Sequence, residues 1–104
     1  MEEDLKGYSA SRNEHYKKIV KAMGDPTKVY DIRGWLGDCR HFIEKIYELS
    51  IKSLNNGKKV FRESPDGTRE YLDQSDVAND YGFWMEWIDR AERQNEEVAR
   101  KHGY

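Results

Sequence analysis

The sequence predicts a mainly α fold: a small bundle of three to four helices with a β-hairpin inserted before a long C-terminal helix. Three observations carry this expectation. Val77, Tyr81, Trp84, Ile88, Ala91, Asn95, Val98 and His102 recur at steps of four and three, the period of one amphipathic helix. Two apolar arcs of the same period lie upstream, and between them and the final helix the period changes around Ser64-Pro65-Asp66-Gly67. The 104 residues support one core, because a second would leave each with too little buried area to offset ordering entropy.

Residues 1–10 are polar apart from Leu5 and Tyr8 and read as a flexible N-terminal arm, leaving 11–104 as a single helical domain. Ser11 and Glu14 have capping-box spacing, in which the hydroxyl accepts from the amide three residues on and the carboxylate reaches back. The helix they open presents Tyr16, Ile19, Val20 and Met23 on one face and Lys17, Lys18 and Lys21 on the other, a solvated face. Gly24 closes it. Asp25-Pro26 is a second start signal, a capping carboxylate before a residue whose φ suits the first helical position, and predicts a short helix to about Arg33. Gly34 and Gly37 bracket Trp35-Leu36, and two glycines cost about 2 kcal/mol relative to alanine inside a helix. A break or sharp kink is therefore expected there. The pattern resumes at Asp38 with Cys39, Phe42, Ile43, Ile46, Leu49 and Leu54 on one arc, and Asn55-Asn56-Gly57 ends it.

Val60-Phe61 and Tyr71-Leu72 flank Ser64-Pro65-Asp66-Gly67, where proline second and glycine fourth suit a type I turn, so residues 58–72 are expected to form a hairpin. Asp73 or Ser75 then caps the final helix, which is expected to run unbroken over 76–102 for about 40 Å. Gly82 opposes this by about 1 kcal/mol, and the aromatic side chains on either side are expected to override it. Glu86-Arg90, Asp89-Arg93, Glu96-Arg100 and Glu97-Lys101 are acid-before-base pairs at four-residue spacing, each stabilising by about 0.3 kcal/mol.

Charge narrows the partners. The net charge of -2 gives no global attraction to nucleic acid or anionic lipid. Residues 73–104 carry eight acids against four bases, whereas 58–72 carry four bases against three acids, so a polyanion would have to avoid the last helix. Cys39 is the single cysteine, which makes an intrachain disulfide impossible and a reducing, cytoplasmic location the expectation. Glu2, Glu3 and Asp4 are the wrong charge for a signal peptide, and no apolar run approaches the ~20 residues of a membrane span.

The chemistry-bearing residues are sparse. Cys39 and His41 are two residues apart and point about 200° from each other on a helix, so they cannot form a nucleophile–base pair within it. Cys39 lies on the apolar arc, where a buried thiol is inert. No His/Cys set has zinc spacing, and the acids of the final helix alternate with bases instead of forming a pair with separated pKa values. Gly34-Trp35-Leu36-Gly37 matches a GxxG loop in form, with apolar middle residues that suit burial better than backbone clamping. No catalytic residue, metal site or cofactor is expected, and the chain reads as non-enzymatic.

The aromatic density of the final helix points to protein contact. Phe83, Trp87 and Arg90 lie on a flank offset from the Trp84-Ile88 stripe and, with Tyr81 and Gln94, form the expected partner-binding surface. Its occupant is another protein, or a second copy in a homodimer. In size, absence of catalytic motifs and dense charge the chain resembles the small virus-encoded proteins that block bacterial enzymes or defence complexes, which implies a regulator or inhibitor that occupies a partner's surface. A second resemblance is local: KAMGDPTKVYDI, from Lys21 to Ile32, is similar to the opening of winged-helix repressors of the ArsR class, and RESPDGTREYLD, from Arg62 to Asp73, to their wing. That likeness implies a DNA-binding regulator with Lys58, Lys59, Arg62 and Arg69 as nucleic-acid contacts.

Overall fold

The computed structural model describes residues 2–64 and 66–103. Three helices, α1 (Glu2–Ala22), α2 (Val29–Asn55) and α3 (Gln74–Lys101), are linked by a 3-10 turn (Pro26–Lys28) and by a hairpin of β1 (Val60–Glu63) and β2 (Arg69–Leu72). The fold is mainly α, with the hairpin between α2 and the long last helix. Helix α2 lies between the other two and runs antiparallel to both. Tyr8 meets Phe42 and Cys39 Sγ reaches the Arg12 carbonyl on the α1 side, while Arg33 meets Glu96 and Arg40 meets Glu92 on the α3 side.

The core is built from α2 outward. Ile32, Leu36, Cys39 and Ile43 of α2 close on Ile19 of α1 and on Ile88 and Ala91 of α3, with Trp35, Trp84, Met85 and Trp87 packed around them. Burying such aliphatic side chains contributes about 1.5–3 kcal/mol each. Asn95 is the one large polar side chain in this interior, 1% exposed, and its Nδ2 donates to the Val29 carbonyl at 3.1 Å. The bundle is elongated, 51 × 25 × 18 Å, with a radius of gyration of 15.6 Å against the ~13 Å of a spherical domain of this size.

Two helix boundaries differ from the sequence reading. Residues 2–10, read from the sequence as part of a flexible arm, are helical: α1 starts at Glu2 and passes through Ser11, whose carbonyl oxygen is 2.8 Å from His15 Nδ1, so the Ser11–Glu14 pair caps nothing; Met1 lies outside the described residues. Leu5 and Tyr8 extend the period of Arg12, Tyr16 and Ile19 upstream, and the Tyr8–Phe42 contact gives that extra length something to pack on. Nor is there a break at Gly34-Trp35-Leu36-Gly37. After the 3-10 turn capped by Asp25, whose carboxylate accepts from the Thr27 amide at 2.9 Å, a single α-helix runs from Val29 to Asn55. Both glycines lie on its exposed side, and the burial of Leu36 with the half-burial of Trp35 outweighs their propensity cost.

The remaining elements follow the local signals. Gly24 has φ 93, the left-handed conformation that ends α1. Pro65 lies outside the described residues, but the turn around it closes through the Gly67 amide on the Ser64 carbonyl and the Ser64 amide on the Thr68 carbonyl, with Gly67 at φ 87. Asp73, not Ser75, caps α3, in a reciprocal box with Asp76. The helix then passes through Gly82 without interruption. Two of the acids expected to pair within the helix bond to α2 instead: Glu96 receives both Nε and Nη2 of Arg33, at 2.7 and 2.8 Å, and Asp89 shares Arg40 with Glu92. A two-pronged guanidinium contact across helices wins over a flexible four-residue pair.

Candidate functional site

The hairpin end of the bundle holds a groove of about 800 Å³ between the start of α1, the end of α2, β1 and the start of α3. Its volume is within the usual range of ligand-sized clefts. Leu5, Ile46, Val60, Leu72, Phe83 and Trp84 supply its apolar surface. Among the described residues, five cations line it as well, Lys6 and Arg12 from the α1 wall and Lys58, Lys59 and Arg62 from the hairpin wall, against the carboxylate of Asp80. That balance reverses the acidic character of the last third of the chain.

The cations are not equivalent. Arg62 is neutralised by Asp80 and Glu70, and the bond to Asp80 holds its pKa above the ordinary guanidinium value. Arg12 is half-buried, its Cζ 4.4 Å from the centroid of the Trp84 ring, and its Nε and Nη2 both donate to Asn13 Oδ1 at 3.2 Å. Desolvation lowers its pKa, against the pull of Cys39 and Asp80, yet a guanidinium keeps its charge throughout the accessible pH range. Among the described residues, Lys6, Arg12, Lys58 and Lys59 have no carboxylate within ion-pair distance. Arg12, the partly desolvated one, shares the field of Asp80, which is itself bonded to Arg62, and so still attracts an anion.

The expected partner-binding residues do not form one patch. Phe83 is 64% exposed and stands at the groove's edge, its ring 6.2 Å from that of Trp84. Trp87 is half-buried beside it, against Tyr16 at 4.9 Å and Trp84 at 6.0 Å, and Arg90 and Gln94 continue the flank in solvent. Tyr81 belongs to the opposite side of α3, where its ring meets Tyr47 at 4.5 Å. Of the four hairpin bases, Lys58, Lys59 and Arg62 line the groove, and Arg69 stacks over Phe61 instead, 4.3 Å from the ring centroid. Reading residues 1–10 as an arm hides Lys6 as a site residue, and Arg12 is not legible because its partners Trp84 and Asp80 are distant in sequence. The four-three recurrence of Leu5, Tyr8, Arg12 and Ile19 was the signal that could have extended the helix to Lys6.

Cys39 has no exposed surface, and burial pushes its thiol up to about 11, partly opposed by Arg12. Iodoacetamide at pH 8 should label it at least about a hundredfold more slowly in the folded protein than in urea, since the thiolate fraction falls by that factor for a two-unit rise. Equal rates by mass spectrometry would mean the site opens readily. Among the described residues, no group of three His, Cys, Asp or Glu side chains is placed to share a metal ion, and no helix is long and apolar enough to cross a membrane. Between α1 and the hairpin stands the one continuous α2, where a winged-helix reading head needs two helices joined by a turn. Comparison with protein-family models, curated proteins and solved structures finds no match to this chain.

Proposed function

We propose that the protein is a small non-enzymatic regulator or inhibitor that acts by occupying the surface of a partner protein, with the Phe83 edge of α3 and the adjoining groove as its contact site. The observation that carries this reading is Phe83 itself, a large aromatic side chain held 64% exposed on a regular helix beside two half-buried tryptophans and a cation-lined groove. Aromatic and arginine side chains at the rim of an apolar hollow are the usual anchors of protein–protein affinity. The style shared with virus-encoded inhibitors of bacterial defence makes an enzyme or defence complex the kind of partner to expect. A second copy of the chain is the other.

Phe83→Ala separates contact from core. It should leave folding stability within about 0.5 kcal/mol of the parent, as surface truncations do, while lowering partner affinity at least tenfold. Trp87→Ala, by contrast, removes packing against Tyr16 and Trp84 and should cost about 2 kcal/mol of stability. A photo-crosslinker at position 83, used in a lysate of the source organism with mass spectrometry, identifies the partner; sedimentation of the purified protein tests for a dimer. A monomer that crosslinks to nothing overturns the proposal.

A further inference from the structure

We infer that the groove takes an acidic peptide segment with one large apolar side chain, contributed by the partner protein; the inference rests on the protein-binding reading and specifies the partner's chemistry. The argument is charge complementarity over two walls. Lys6 and Arg12 come from α1, Lys58 and Lys59 from the hairpin end of the groove, and none has a carboxylate within ion-pair distance among the described residues. A lone anionic headgroup satisfies one wall. A peptide with carboxylates on both sides of an apolar residue satisfies both and places that residue on Val60, Leu72 and Trp84.

Arg12 is the centre of the site. Its guanidinium plane is fixed by Trp84 behind it and by Asn13 at two of its nitrogens, so a carboxylate arriving at the remaining edge meets a pre-positioned donor. Holding the donor in advance lowers the ordering cost of the complex. Asp80 sits on the opposite side of the balance. Its bond to Arg62 offsets the one carboxylate that lines the groove among the described residues, which lowers the repulsion an acidic segment meets there. Nucleic acid fits less well: its phosphates are regularly spaced along a strand, whereas these cations surround an apolar floor, and the acidic body of α3 borders them.

The test is fluorescence anisotropy of a labelled decapeptide with one phenylalanine flanked by glutamates, against the intact chain. Its glutamine counterpart, a single-stranded oligonucleotide of matched charge and phosphatidylglycerol vesicles serve as competing probes. The glutamate peptide should bind, weaken about fivefold when salt is raised from about 50 to about 300 mM, and outcompete the other three. Lys58→Glu with Lys59→Glu, both exposed, should weaken it about tenfold with an unchanged circular dichroism spectrum and melting temperature. Arg12→Gln should weaken it by at least as much, with melting temperature recorded in parallel to detect any loss of folding.

Equal binding of the glutamine peptide, insensitivity to the double lysine reversal, or preference for the oligonucleotide or the vesicles overturns the inference. If the glutamate peptide fails while the position-83 crosslinker captures a partner, the protein-binding reading stands and the acidic occupant is wrong. If both fail, both readings are wrong.

Discussion

Asn95→Asp is expected to destabilise the protein by about 4 kcal/mol or more at pH 7 and by little near pH 3. Asn95 is 1% exposed, its Nδ2 faces the Val29 carbonyl oxygen at 3.1 Å, and its Oδ1 has no hydrogen-bond partner among the described residues. The new carboxylate would place a charge in that site with a carbonyl oxygen, not a donor, opposite it. Full burial raises a carboxyl pKa by about 3–5 units, and each unit is about 1.4 kcal/mol. The sign follows from linkage: with the folded pKa above the unfolded value, the loss is absent below the unfolded value near 4 and grows as pH rises to the folded one. In the protonated form the acid donates to Val29 as the amide did. Urea melts of the variant at about pH 3, 5 and 7 check this, and a pH-independent loss would show that water reaches the site. Asn95→Leu is the contrasting case. It removes an unpaired buried oxygen, and the Val29 carbonyl keeps its helical partner inside α2, so stability should hold or rise.

Replacing Gly34, Gly37 and Gly82 together by alanine should raise stability by about 2 to 3 kcal/mol. All three lie inside helices, outside the set of positive-φ glycines, and a Cβ built at each meets no atom within 4 Å. The gain is the conformational entropy that glycine loses on folding, about 1 kcal/mol per site. For a domain of this size it corresponds to a rise in melting temperature of roughly 10–20 °C. Gly24→Ala supplies the opposite control, because its φ of 93 strains any L side chain and its replacement should destabilise. If the triple variant melts no higher than the parent, helix α2 is not continuous through Trp35-Leu36 in solution. If it melts higher but loses partner binding, the glycine segment has a conformational role in that contact.

The extent of α3 was legible because it is encoded locally several times over. Its apolar recurrence spans the whole segment, Asp73 and Asp76 form a reciprocal cap, and the packing of Trp84, Met85 and Trp87 around the core holds the helix through Gly82. The hairpin was legible through Gly67, whose left-handed φ closes the turn, and the end of α1 through Gly24 for the same reason. The groove was only half legible. Lys58, Lys59 and Arg62 are close in sequence and stood out as a basic cluster, whereas Lys6 and Arg12 are brought to them by the fold across about fifty residues of chain. No local period records such a juxtaposition.

By itself the sequence determined the mainly α class, the helix ends marked by glycine or by a capping carboxylate, the hairpin and the burial of Cys39, since each depends on the conformational preference or polarity of residues within a turn or two. Only the tertiary structure decided the continuity of α2, the start of α1, the partners of Arg33 and Arg40, and the side of α3 to which Tyr81 belongs. The physical reason is one of magnitude. A glycine or a missed cap shifts a helix by about 1 kcal/mol, and burying side chains such as Leu36 or Ile32 contributes about 1.5–3 kcal/mol each, so packing overrules local preference wherever the two disagree.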